Sequence, residues 1–122
     1  MEYGYKQLEV WKKAIQLVKI AYTLAKQLPS EEKYALSDQI RRAVVSIPSN
    51  LAEGNGRASS RDYAHFLAIA RGSLYETMTQ LDIAQELGYI GGDDSQRQRM
   101  NEAESLALEL RKMLTAMINR FS

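Results

Sequence analysis

Few side chains in this sequence are of the types that carry out covalent chemistry. His65 is the single histidine and cysteine is absent, which excludes disulfides and thiolate metal sites. No second ligand stands at metal-binding spacing from His65, so it reads as a structural or surface residue. Serines are plentiful, but without a second histidine or a Ser-Lys arrangement nothing activates one as a nucleophile. The run Glu53-Gly54-Asn55-Gly56-Arg57 would cradle an anion if its backbone N–H groups and the Arg57 guanidinium turned toward it. It follows a helical pattern rather than a strand and lacks the Lys-Ser/Thr ending of a P-loop, so a plain helix-ending loop is the better reading. Trp11, Tyr22, Tyr63 and Tyr75 offer faces on which bases stack, yet their helical spacing places them among core and interface residues.

Arg41, Arg42, Arg57, Arg61 and Arg71 are the candidates for phosphate contacts. Asp38, Glu53, Asp62 and Glu76 stand at suitable helical offsets or near the same loop, so pairing within the chain is an equal reading. Asp38, Asn50 and Glu53, with Ser46 and Ser49 near them, are expected to form a polar network that fixes packing around Pro48. No acid, base and nucleophile come together, which gives the expectation of a protein that is not an enzyme. No cofactor, metal or small-molecule substrate is expected either.

These residues are carried by four helical patterns. The first spans about Leu8 to Leu28 and ends at Pro29, because the residue before a proline is pushed out of the helical region. It has two apolar stripes, Trp11, Ile15, Val18, Tyr22 and Ala25 beside Val10, Ala14, Leu17, Ala21, Leu24 and Leu28. A surface helix needs one stripe little more than ~100° wide. Two stripes predict burial on two sides, one against another subunit, with Val10, Leu17 and Leu24 assigned to that interface together with Val45 and Pro48 of the next helix.

The second helix begins between Ser30 and Ser37, with Ser30 as a candidate N-cap, and runs to about Asn55. Leu36, Ile40, Ala43, Val44, Ile47 and Leu51 keep one phase before and after Pro48, so the proline reads as a kink inside one helix rather than a terminator. Gly54 and Gly56 are expected to supply backbone freedom at its end. The third helix starts at Ser59 or Ser60 and runs to about Leu87, with Gly88 just past its end. Gly72 in its interior predicts a close approach by a neighbouring helix. The fourth is capped by Asp93 or Asp94 and reaches about Arg120 with a single stripe that includes Met100, Leu110 and Leu114. No strand pattern survives. The fold expected is one all-α domain over residues 1–122, an up-down-up-down antiparallel four-helix bundle with a proline-kinked second helix.

A net charge of +1 argues against a dedicated, strongly basic nucleic-acid binder. Its distribution is uneven: residues 1–61 hold ten Lys/Arg against six Asp/Glu, and residues 62–122 hold six against nine. Halves of opposite sign can lie against each other within one subunit or across neighbouring ones. With no signal-peptide pattern and no apolar run of membrane-spanning length, the sequence gives the expectation of a soluble cytoplasmic protein without a membrane partner.

The run Asp38-Gln39-Ile40-Arg41-Arg42-Ala43, then Ser46-Ile47-Pro48-Ser49-Asn50-Leu51-Ala52-Glu53-Gly54, then Phe66-Leu67 and Ala70-Arg71-Gly72-Ser73-Leu74-Tyr75-Glu76, resembles the four-helix 23S rRNA intervening-sequence proteins of bacteria. The resemblance extends from about Leu8 to Leu114. It implies a bundle that assembles into a ring, typically a homopentamer, with a ribosome-associated or other RNA-binding role beside an RNA or a ribonucleoprotein. A related group of similar fold serves diversity-generating retroelements as the accessory protein that joins a reverse transcriptase and nucleic acid. A structural assembly module without nucleic-acid binding is the further alternative.

Overall fold

The computed structural model describes residues 4–122. A 3₁₀ turn, Gly4–Gln7, leads into four helices: α1 (Glu9–Ala25), α2 (Leu36–Asn55), α3 (Ser60–Glu86) and α4 (Asp94–Phe121); the described residues contain no strand. Each helix packs on its neighbours in sequence, and α4 closes back on α1. The ends identify the direction of each. Ser37 at the start of α2 donates to the carbonyl of Ala25 at the end of α1, 3.3 Å away. Tyr63 early in α3 stacks on Phe121 at the end of α4, with ring centroids 4.7 Å apart. Gln96 in the first turn of α4 reaches Gln27, just beyond α1. These contacts run the helices up, down, up and down.

The core is filled by the expected stripes of α2 and α4 and by Leu67, Leu74 and Leu81 of α3, with Ile40, Ile47, Leu51, Met100, Leu110 and Leu114 likewise almost fully removed from water. At α1 the assignment is corrected. Val10, Leu17 and Leu24 lie in the chain's own core and keep no surface for a second subunit. The other stripe, Trp11, Ile15, Val18 and Tyr22, is the one left partly exposed.

The helix ends follow local chemistry. Helix α1 stops at Ala25 rather than Leu28, because its last turn tightens into short-range bonds, Gln27 N–H to Leu24 O and Leu28 N–H to Ala25 O, before Pro29 ends it. Ser30 caps nothing with its side chain; it opens a 3₁₀ turn, Ser30–Glu32. The free donor of Leu36 at the start of α2 is met instead by the Glu32 carboxylate at 3.2 Å. That carboxylate also accepts from the Tyr89 hydroxyl at 3.4 Å. Partial burial, followed by the charges of Glu32 and Glu31, holds the Tyr89 phenol above its ordinary pKa.

Ser59 and Asp93 cap α3 and α4 by accepting from Asp62 N–H and Gln96 N–H. Helix α3 ends in a Schellman motif: Tyr89 N–H donates to Ala84 O, Gly88 N–H to Gln85 O, and Gly88 takes φ 77°.

Pro48 lies inside α2, which continues unbroken to Asn55. Its ring removes the donor that Val44 O would receive. The next two side chains add bonds to the same turn, Ser49 Oγ–H to Val45 O at 2.9 Å and Asn50 Nδ2–H to Ser46 O at 2.8 Å.

Candidate functional site

The five candidate arginines do not converge. Arg41 and Arg42 lie near the start of α2 and Arg57 just beyond its end, a separation of roughly 24 Å at 1.5 Å per residue. Arg42 Nε donates to Asp38 at 2.9 Å and remains 81% exposed. Arg41 donates to the carbonyl of Lys33 at 3.0 Å and sits 3.8 Å from Asp38. Arg57 pairs with Glu53 at 2.8 Å and lies over the Phe66 ring, 4.7 Å from its centroid. Arg61 is exposed and has no side-chain partner among the described residues. Arg71 points across the bundle to Thr115 on α4, at 3.2 Å, and not to Glu76.

The polar network exists with a different membership. Asn50 donates to Ser46 Oγ at 2.9 Å, and Ser46 Oγ meets Ser73 Oγ across the α2–α3 seam at 2.9 Å. Thr77 adds a bond to Ser73 O at 2.7 Å. Asp38 and Glu53 stand outside this network, each in a surface ion pair on its own turn of α2. Sequence reading missed Ser73 and Thr77; their signal is two hydroxyls one helical turn apart beside a core stripe. Gln80, another turn on, donates to Glu76, while its buried carbonyl oxygen has no partner among the described residues.

The close approach expected at Gly72 occurs at Gly54. A Cβ on Gly54 would stand 2.8 Å from Phe66 Cβ and 3.0 Å from Tyr63 Cδ1, so α2 and α3 touch there backbone to side chain. Neither Gly54 nor Gly56 takes a positive φ, so packing rather than backbone freedom explains the first. A Cβ on Gly72 would meet nothing within 4 Å.

An apolar feature on the outside lies between α1 and α2. Trp11, Ile15 and Val18 on one side and Val45, Pro48 and Ala52 on the other line a shallow groove of about 320 Å³, with Tyr5 at its end. The Tyr5 and Trp11 rings meet edge to face, their centroids 5.3 Å apart. A second hollow at the other end of α1 is lined in part by Lys26, Lys33, Ser37 and Arg41. Lys13 ties α1 to α4 through Glu109 at 2.7 Å, and this hydrogen bond raises the lysine above its ordinary pKa. His65 is exposed and sits edge-on to Phe66. No group of three or more His, Cys, Asp or Glu that would hold a metal ion occurs among the described residues. No helix among them is long and apolar enough to cross a membrane.

Residues 6–116 match the sequence profile described as 23S rRNA-intervening sequence protein. A crystal structure of a protein with unknown function from the S23 ribosomal protein family of Bacteroides thetaiotaomicron is 27% identical in sequence. It covers 89% of this chain and 97% of its own, with a TM-score of 0.76. No curated protein matches the chain.

Proposed function

The chain belongs to the 23S rRNA-intervening sequence protein family, and from that membership we propose that it works in the bacterial cytoplasm without catalysis, as a ring-forming homo-oligomer accessory to RNA or a ribonucleoprotein. The observation that carries the assembly is the unpartnered apolar groove of α1 and α2, where Val45 is exposed beside a row of large α1 side chains. A ring of five is the form the family resemblance favours. Support for the RNA role comes from the family's name and from Arg42, Arg57 and Arg61, which stand at the surface where repetition around a ring multiplies weak phosphate contacts.

One observation favours a second reading, an assembly module that binds no nucleic acid. Arg41, Arg42, Arg57 and Arg71 each already have an acidic, carbonyl or hydroxyl partner within the chain. The deciding experiment is a titration of nucleic-acid-free protein against labelled structured RNA at low and near-physiological salt. The RNA reading expects tight binding with a steep salt dependence, flattened when Arg42, Arg57 and Arg61 are replaced by glutamine. Feeble binding at both salts would leave the module reading.

A further inference from the structure

We infer that the hollow where α1 gives way to α2 binds a small phosphomonoester, its dianionic phosphate held by Lys26, Lys33 and Arg41 and its apolar body laid on Ala25, Leu28 and Pro29. The site belongs to a single chain and depends on neither assembly nor RNA. The hollow has a volume of about 340 Å³, within the roughly 300–1,000 Å³ of small-molecule sites. Its floor is made from core: Ala25 is 2% exposed, Ser37 3% and Leu28 7%. Three cations stand in its wall and no carboxylate does. The two polar hollows between α1 and α4 differ in this respect, each having an acid, Asp93 or Glu102, in its own wall.

These cations are not spent on the chain itself. Lys12, Lys13, Arg42, Arg57 and Arg97 each pair with an acid. Lys26 has no ion pair or side-chain hydrogen bond among the described residues, and Lys33 has only the Tyr34 ring, 5.4 Å from its ammonium group. Arg41 donates through Nη2 to the carbonyl of Lys33 at 3.0 Å, and the same nitrogen lies 3.8 Å from Asp38. That bond fixes the guanidinium against the turn that carries Lys33 and leaves its Nε and Nη1 donors open to an anion. The C-terminus of α1 ends here, and its dipole opposes an anion with about half a negative charge. The carbonyl of Ala25 already accepts from Leu28 N–H and from Ser37 Oγ–H, each at 3.3 Å. Three full positive charges outweigh what remains.

The mixture of cations selects the anion. Two ammonium point charges beside one planar fork suit a phosphate, which spreads its charge over three outer oxygens and offers each cation its own, whereas a carboxylate has a single charge on two. The floor of Ala25, Leu28 and Pro29 selects the rest, because a bare phosphate would leave that apolar surface wet.

The probe is phenyl phosphate, titrated into the full-length chain and followed by ligand-observed NMR. A dissociation constant of about 1 mM or tighter is expected for so small a ligand. The double variant Lys26→Gln/Lys33→Gln, at two exposed positions, is expected to weaken binding by about tenfold or more with unchanged helical circular dichroism. Arg111→Gln/Lys112→Gln removes the same charge from the exposed side of α4 and is expected to leave binding as it is. Inorganic phosphate lacks the apolar body. Methyl phenyl phosphate keeps the body but carries one charge, as each phosphodiester of a nucleic-acid backbone does. Both are expected to bind about tenfold more weakly than phenyl phosphate. No binding of phenyl phosphate at about 10 mM, or binding that the double variant retains in full, overturns the site. Inorganic phosphate binding as tightly as phenyl phosphate would overturn the apolar half of the reading. The diester binding as tightly would overturn the choice of a dianionic small molecule in favour of a nucleic-acid backbone.

Discussion

Replacing Gly54 with alanine sets two effects of opposite sign against each other. Helix propensity alone favours alanine by about 0.8–1.0 kcal/mol. The new Cβ, however, would lie 2.8 Å from Phe66 Cβ and 3.4 Å from the Tyr63 carbonyl oxygen, where carbon atoms at rest sit about 3.5–4.0 Å apart. Phe66 Cβ is fixed to its backbone, so no rotamer change relieves the clash and α3 has to shift by roughly an ångström. That shift would strain the Ser46–Ser73 hydrogen bond and the stack of Tyr63 on Phe121. Overpacking of this kind costs about 1–3 kcal/mol, and a contact that moves backbone belongs at the upper end. With the propensity gain subtracted, Gly54→Ala is expected to lose about 2 kcal/mol. Urea unfolding followed by far-ultraviolet circular dichroism reads this as a lower midpoint with an unchanged slope. Protein concentration is held fixed, because any self-association would add to apparent stability. A variant as stable as wild type, or more stable by the propensity term, would refute the close approach of α2 and α3.

Gln80→Met removes the buried carbonyl oxygen that lacks a partner while keeping side-chain length. Thermal unfolding should show a gain of about 1 kcal/mol after the bond from Gln80 to Glu76 is also lost, and a net loss would mean that this bond outweighs the unpaired oxygen. Asn50→Ala deletes two hydrogen bonds to Ser46 and is expected to cost about 1–2 kcal/mol in urea unfolding; no change would leave the α2–α3 seam without need of the amide. Lys13 has a pKa above its ordinary 10.5 because Glu109 accepts from the ammonium group. A raised lysine pKa contributes stability that is fully present below about pH 10.5 and fades as pH climbs through the higher folded-state value. Glu109→Gln should therefore unfold at a slightly lower temperature than wild type at pH 8, with the gap closing above pH 10.5. A gap independent of pH would assign it to packing rather than charge.

The bundle was legible because apolar period is set by helix geometry, and the period survives a proline whose neighbours lie in phase. Leu36, Ile40, Ile47 and Leu51 point to one core on either side of Pro48. Period alone does not say which of two apolar stripes turns inward. For α1 that choice belongs to α2 and α4, which pack against the stripe containing Ala14 and Ala21, where small side chains let helices approach. The signal that would have decided it is chemical: Trp11 and Tyr22 carry polar tips that favour a half-wet position, whereas Leu17 and Leu24 carry none. Gly54 and Gly72 present the same ambiguity. A helical glycine marks a place where something comes close, and only the folded chain shows that Phe66 fills one site and nothing in the chain fills the other.

The arginines fail as a single site for a reason that sequence spacing already contains. Residues sixteen apart on one helical rise lie roughly 24 Å from each other, so the Arg41–Arg42 pair and Arg57 cannot grip the same phosphate. Arg57 and Arg61 share the end of the bundle where α4 finishes at Arg120, and Arg42 lies toward the opposite end. In a single copy each end offers a few cations already drawn toward Asp38 or Glu53. Repetition around a ring would turn each end into a rim of evenly spaced guanidinium groups, and a long nucleic-acid backbone can bridge sites that one phosphate cannot. On the ring reading, affinity for RNA is expected to arise from assembly, so a variant that stays monomeric should bind structured RNA more weakly than the wild-type chain at the same salt.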